Sequence, residues 1–145
     1  MAKQILIVDD HVVVRQGLKT LFGGRDDWQV CGEAANGREA VEKTCELEPD
    51  VVILDVSMPE MDGMEAARRI LQLRPNQKIV IHTMHDSKTF ICEAEKIGVR
   101  GIVRKSNGSQ DVLQALTEVL NGSRFFPSAA QEKAKSASSE RSRGA

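Results

Sequence analysis

Three short runs of Val, Ile and Leu in this chain each lead into polar, chemistry-bearing residues: Ile5-Leu6-Ile7-Val8, Val51-Val52-Ile53-Leu54 and Ile79-Val80-Ile81. A strand with one wet face alternates apolar and polar residues. An unbroken aliphatic run bounded by polar residues suits instead a strand covered on both faces, as in a parallel sheet between two helical layers. Ile102-Val103 is a shorter run of the same kind, and Trp28 to Ala34 supplies one more strand. Helical periodicity fills the intervals. Val14, Leu18, Leu21 and Phe22 share one face of a helix beginning at about His11, and Ala40, Val41, Thr44 and Cys45 do so before Pro49. Met64, Ala67, Ile70 and Leu71 follow Asp62-Gly63 and stop near Pro75. Phe90, Ile91 and Ala94 precede Gly98, and Val112, Leu113, Leu116 and Leu120 precede Gly122. Gly and Pro just past the last periodic residue are helix stops. Five strands alternating with five helices predict right-handed crossovers and a doubly wound α/β fold, a five-stranded parallel sheet with helices on both faces.

Composition bounds the function classes. With 145 residues the chain is expected to form one domain and a tail, and an aromatic content of 3% makes the core aliphatic. Cys31, Cys45 and Cys92 lie inside predicted elements without Cys-x-x-Cys spacing, so they read as small buried hydrophobes rather than a disulfide or zinc site. No apolar run is long enough for a membrane span or a signal peptide, and a soluble, cytoplasmic protein with no membrane partner is expected. Residues 1–122 carry a net charge of −4 and residues 123–145 a net of +3. From Ser123 onward Ser, Ala, Gln, Glu, Lys and Arg dominate, with no apolar period after Phe125-Phe126-Pro127. Residues 1–122 are therefore expected to be the folded domain, and 123–145 a flexible tail or interdomain linker. A nucleic-acid-binding arm is disfavoured because Glu132 and Glu140 interrupt the positive charges.

The apolar runs end in chemistry. The first stops at Asp9-Asp10, the second at Asp55, the third leads through His82 to Thr83, and Ile102-Val103 leads through Arg104 to Lys105. In a parallel sheet these residues gather at the carboxyl edge, where open α/β sheets bind ligands. A carboxylate attacks a phosphoryl group poorly because both are negative, and a hard divalent cation between them removes the repulsion. Mg²⁺ takes oxygen ligands, which Asp9, Asp10, Asp55 and a carbonyl just after Asp55 can provide. Lys105 can neutralise a phosphoryl oxygen and Thr83 can hydrogen-bond another. The turn Asp9-Asp10-His11 has no glycine, so a dinucleotide site with its Gly-rich phosphate cradle is disfavoured. Taken singly, each residue has a plainer explanation: Asp after a strand is a turn former or helix cap, a lone Lys or Thr at a strand end is surface, and Asp62-Gly63 is an ordinary turn. Their occurrence at the same end of four strands favours the functional explanation.

These motifs resemble the receiver domain of two-component response regulators, over residues 3 to about 122. The features that carry the resemblance are Leu6-Ile7-Val8-Asp9-Asp10-His11, the block Leu54 to Gly63, His82-Thr83-Met84-His85-Asp86, and Gly101 to Ser106. Thr83 and Lys105 also stand 28 and 50 residues after Asp55. The resemblance implies the flavodoxin-like (βα)5 strand order 2-1-3-4-5. It implies that Asp55 accepts a phosphoryl group from a phosphohistidine on a sensor histidine kinase. Mg²⁺ or Mn²⁺ would be held by Asp10, Asp55 and the Ser57 carbonyl, with Asp9 acting mainly through water. Thr83 would be the switch hydroxyl and Lys105 its charge partner, and the face of the fourth helix, fifth strand and fifth helix would respond. Ser57 and His85 would tune phosphoryl lifetime. Ile102 departs from the pattern, since many receivers carry Tyr or Phe there. His11 and His82 have no assigned role and read as surface or packing residues.

Asp-Asp-His and Arg-Lys-Ser look like the NarL/LuxR-type branch, whose members carry a C-terminal helix-turn-helix. No apolar helical pattern follows Pro127, so this chain by itself is expected not to read DNA through that motif. The implied output is control of transcription through a domain outside this chain, without enzymatic turnover beyond self-phosphotransfer and autodephosphorylation. The kinase would dock near Val12, Arg15 and Gln16. A homodimer would use either the fourth and fifth helices or the first and fifth. Three other functions compete. A phosphohydrolase working through an aspartyl-phosphate typically has an acid two residues after the nucleophile, where this chain has Ser57, and needs a cap for which the loops are too short. An interaction module that has lost phosphorylation usually lacks an acid or the lysine. A flavin or nucleotide binder needs glycines and aromatics at the edge.

Overall fold

The computed structural model describes residues 2–58, 61–84 and 87–127. Five strands alternate with five helices: β1 (Lys3–Val8), α1 (Val12–Gly23), β2 (Trp28–Ala34), α2 (Gly37–Leu47), β3 (Val51–Leu54), α3 (Gly63–Leu73), β4 (Lys78–Thr83), α4 (Lys88–Ile97), β5 (Gly101–Arg104) and α5 (Ser109–Leu120). All strand pairings are parallel, in the order β2-β1-β3-β4-β5. The doubly wound sheet and its implied strand order are thus both observed.

The unbroken apolar runs are explained by two cores. In β1, Leu6 and Val8 face one way with Val52, Leu54, Ile79, Ile81 and Ile102, against Ala40 of α2, Ile70 of α3 and Ala94 of α4. Ile5 and Ile7 face the other way with Ile53, Val80 and Val103, against Phe22 of α1 and Leu116 of α5. Burying each such side chain contributes roughly 1.5–3 kcal/mol, so neither face tolerates a polar residue between the runs' ends. Among the described residues no helix is long and apolar enough to cross a membrane.

The cysteines depart from expectation. Cys31 is half-buried, but Cys45 and Cys92 are exposed. Each of the latter follows a buried residue, Thr44 and Ile91, and one helical step of about 100° turns it toward solvent.

Beyond α5 the chain turns at Gly122 and runs back beside the sheet. The Phe125 N–H donates to the Arg100 carbonyl at 3.0 Å, and the Ile102 N–H donates to the Phe125 carbonyl at 2.8 Å. Phe125 therefore covers part of the free edge of β5, which would otherwise present unpaired backbone groups. Phe125 packs against the core shared by α1 and α5, and Phe126 against the opposite one. Replacing Phe125 with Ala is expected to lower unfolding free energy by about 1–2 kcal/mol, half a fully buried aromatic's share, as read from urea denaturation. An unchanged midpoint would remove Phe125 from the fold's stability. Residues 128–145 of the expected tail lie outside the described residues.

Candidate functional site

The backbone ladder itself carries the acids to the sheet edge. The Asp9 N–H donates to the Ala34 carbonyl at 3.1 Å and the Asp55 N–H to the Val8 carbonyl at 2.9 Å, each extending a strand by one residue. Thr83 ends β4 and is fully buried. Lys105 stands in a single 3-10 turn, Lys105–Asn107, immediately after β5.

The side chains converge. Lys105 Nζ lies 3.0 Å from Asp9 Oδ2 and 3.5 Å from Asp55 Oδ1. The Ser57 N–H donates to Asp55 Oδ1 at 3.3 Å, while the Ser57 residue is exposed. Asp9 and Asp55 are 1% and 2% exposed. Asp55 Oδ2 and Asp10 Oδ1 are buried without a hydrogen-bond partner. One ligand atom from each of Asp9, Asp10, His11 and Asp55 lies within 4.8 Å of all the others.

Two buried carboxylates this close titrate apart. Burial raises Asp9, but the His11 N–H, the Lys105 ammonium and the His11 ring outweigh it and hold the carboxyl below its ordinary range. Asp55 is pushed up, by burial first and the charge of Asp9 second, against the smaller pull of Lys105 and the Ser57 N–H. Lys105 balances only part of the negative charge of three carboxylates. Oxygen donors, unbalanced charge and two orphaned buried oxygens together suit a divalent cation.

Asp55 is held in place from behind. Asp62 caps α3 by accepting from the Glu65 N–H at 2.9 Å, and the Gly63 N–H donates to the Val56 carbonyl at 3.0 Å. A Cβ on Gly63 would sit 2.2 Å from the Asp55 carbonyl oxygen. Asp62-Gly63 is thus more than a turn: only a residue without a side chain lets α3 start this close to the phosphoacceptor candidate.

Two residues were missed at the sequence level. His11 is exposed, yet its Nδ1 lies 2.9 Å from Asp9 Oδ1 and 3.1 Å from Asp10 Oδ1. Its N–H also donates to Asp9 Oδ1 at 2.9 Å, so the N-terminus of α1 is organised around the acids rather than a side-chain cap. Arg15, expected on a kinase-docking surface, donates from Nη1 to the Asp9 carbonyl at 2.6 Å and from Nε to Glu33 at 3.1 Å. His82 is a packing histidine, 9% exposed on β4. Ile102 is fully buried. His85 lies outside the described residues.

The comparisons agree with this geometry. Residues 5–117 match the response regulator receiver domain. The chemotaxis protein CheY of Thermotoga maritima is 40% identical over 119 residues, covering 82% of this chain and 98% of that protein. The transcriptional regulatory protein YdfI of Bacillus subtilis is 37% identical over 119 residues, covering 82% of this chain but 55% of that longer protein. The crystal structure of a LuxR-family two-component response regulator from Aurantimonas superposes with a TM-score of 0.86 at 36% identity, covering 94% of this chain and 99% of that one. An acid-lined sheet edge, the 2-1-3-4-5 order and these matches have one common reading: the chain belongs to the response regulator receiver domain family.

Proposed function

We propose that this domain accepts a phosphoryl group on Asp55 from a phosphohistidine of a sensor histidine kinase. The observation that carries this is Asp55 itself, a buried carboxylate with Oδ1 engaged by Lys105 and Ser57 and Oδ2 without a hydrogen-bond partner. An Asp55 oxygen attacks phosphorus, the bond to the donor nitrogen breaks, and the departing imidazole takes a proton. Lys105 stands where it can pair with a phosphoryl oxygen. Asp9, Asp10, Asp55 and the Ser57 carbonyl would hold Mg²⁺ or Mn²⁺. Such a cation, when bound, neutralises charge between the carboxylate and the incoming phosphoryl group.

The added phosphoryl group carries roughly −1.5 to −2 charge next to Lys105 and Thr83. Thr83 acts as the switch hydroxyl, and the face formed by α4, β5 and α5 shifts between two pre-existing arrangements. Ile102 has no polar tip, so coupling runs through Thr83 and backbone shifts rather than through a rotating aromatic. The output proposed is homodimerisation and control of transcription, supported by the similarity to YdfI, of which this chain spans 55%.

The test is intact mass after incubation with acetyl phosphate, with and without Mg²⁺. A Mg²⁺-dependent adduct of one phosphoryl group, absent in Asp55→Asn, is expected; no adduct under any condition contradicts the proposal. Ser57 and His85 are proposed to tune the adduct's lifetime. Ser57→Ala is expected to change its first-order decay several-fold while leaving Mg²⁺ affinity in place. Equal decay rates in the two proteins would end that role for Ser57.

A further inference from the structure

His11 enters none of the chemistry above, yet among the described residues it is the one imidazole in the acidic cluster. Its Nδ1 faces Asp9 Oδ1 at 2.9 Å and Asp10 Oδ1 at 3.1 Å, the latter contact lacking hydrogen-bond geometry. Donor atoms of Asp9, Asp10, His11 and Asp55 all lie within 4.8 Å of one another, a spread that one ion can bridge. The buried Asp55 Oδ2 has no hydrogen-bond partner, so the pocket has donor capacity that the protein leaves unused. The His11 side chain is 62% exposed, so the ring stands at the solvent side of the acids it contacts.

We propose that His11 is a further protein ligand of this site and makes it select a borderline transition-metal ion, such as Ni²⁺ or Zn²⁺, over Mg²⁺. The inference rests on the acidic cluster being a cation site and adds the selectivity. Carboxylate and carbonyl oxygens suit Mg²⁺, which gains little from an imidazole; Ni²⁺ and Zn²⁺ bind imidazole nitrogen well. A purely acidic edge would bind divalent ions mainly by charge. With the ring positioned against two of the carboxylates, Nδ1 becomes a nitrogen ligand once it gives up its proton and its hydrogen bond to Asp9, without rearranging the backbone.

The experiment is isothermal titration of the untagged, metal-free protein with Ni²⁺ and, separately, with Mg²⁺. Wild type is compared with His11→Ala, His11→Gln and Asp10→Asn. Wild type is expected to bind one Ni²⁺ at least about tenfold more tightly than Mg²⁺. Both His11 variants are expected to lose about tenfold or more in Ni²⁺ affinity while Mg²⁺ affinity stays within about twofold. The Gln variant keeps a polar side chain, so loss in both variants assigns the effect to the imidazole. Ni²⁺ affinity unchanged in both His11 variants, with Asp10→Asn weakening both ions, overturns the role of His11 and leaves the cation site standing. No response of either ion to Asp10→Asn overturns the cation site and the proposal together.

Discussion

Acidifying this domain from pH 6.5 to about pH 4 is expected to remove on the order of 3 kcal/mol of stability through one imidazole, that of His82. In the fold, burial first and the neighbouring Lys105 charge second hold the ring's pKa down at about 4, against an ordinary value of 6.5. Between those limits the unfolded chain binds a proton that the folded chain refuses, so falling pH favours unfolding. The contribution is fully present above pH 6.5 and gone below about pH 4. Asp55 opposes it: its raised pKa means that the fold takes up this proton more readily than the unfolded chain does. Asp9, held low, adds acid sensitivity only below the ordinary carboxylate range. His82→Leu isolates the imidazole, because His82 Nδ1 has no hydrogen-bond partner to lose and Leu fills similar space. Urea midpoints across this pH window should fall steeply in wild type and much less in the variant. Parallel curves would contradict the assignment.

Gly63→Ala should damage stability and site together. The new Cβ would lie 2.2 Å from the Asp55 carbonyl oxygen and 2.5 Å from the Val56 Cα, both backbone atoms that cannot swing aside. Overpacking of this kind costs about 1–3 kcal/mol, and relief requires the start of α3 or the Asp55–Val56 segment to move. A displacement near 1 Å at a reacting group lowers rates about 100-fold, so phosphoryl uptake should fall by about that factor. Gly17→Ala supplies the contrast. Gly17 sits inside α1 with nothing within 4 Å of an added Cβ, so it should gain about 1 kcal/mol from helix propensity, with uptake unchanged. Equal stability and uptake in Gly63→Ala and wild type would refute the close-approach explanation.

These two positions mark what the linear sequence reveals and what it conceals. The Val/Ile/Leu runs are local, and their lack of alternation announces burial on both faces, so β1, β3 and β4 are legible before any coordinates. Their polar ends, with that of Ile102-Val103, then place Asp9, Asp10, Asp55, Thr83 and Lys105 at one edge by topology alone. Contacts across long separations leave no such mark. Asp62-Gly63 carries an ordinary turn signature, and nothing local tells that the glycine is needed to clear the backbone of Asp55. Phe125 follows a helix stop and precedes a polar stretch, so its pairing with β5 is invisible to periodicity. His11 and Arg15 read as surface because their partners come from main-chain and carboxylate groups that the fold alone brings near.

The central claim is that Asp55 is the residue that takes the phosphoryl group. Borohydride reduction of the acetyl phosphate-treated protein, followed by peptide mass mapping, tests it at the atom concerned, because hydride converts an aspartyl phosphate to homoserine. Homoserine at position 55 alone, only in samples that received both acetyl phosphate and Mg²⁺, is the predicted result. Homoserine at position 9 or 10, or a phosphate adduct on Ser57 that survives reduction, would contradict it.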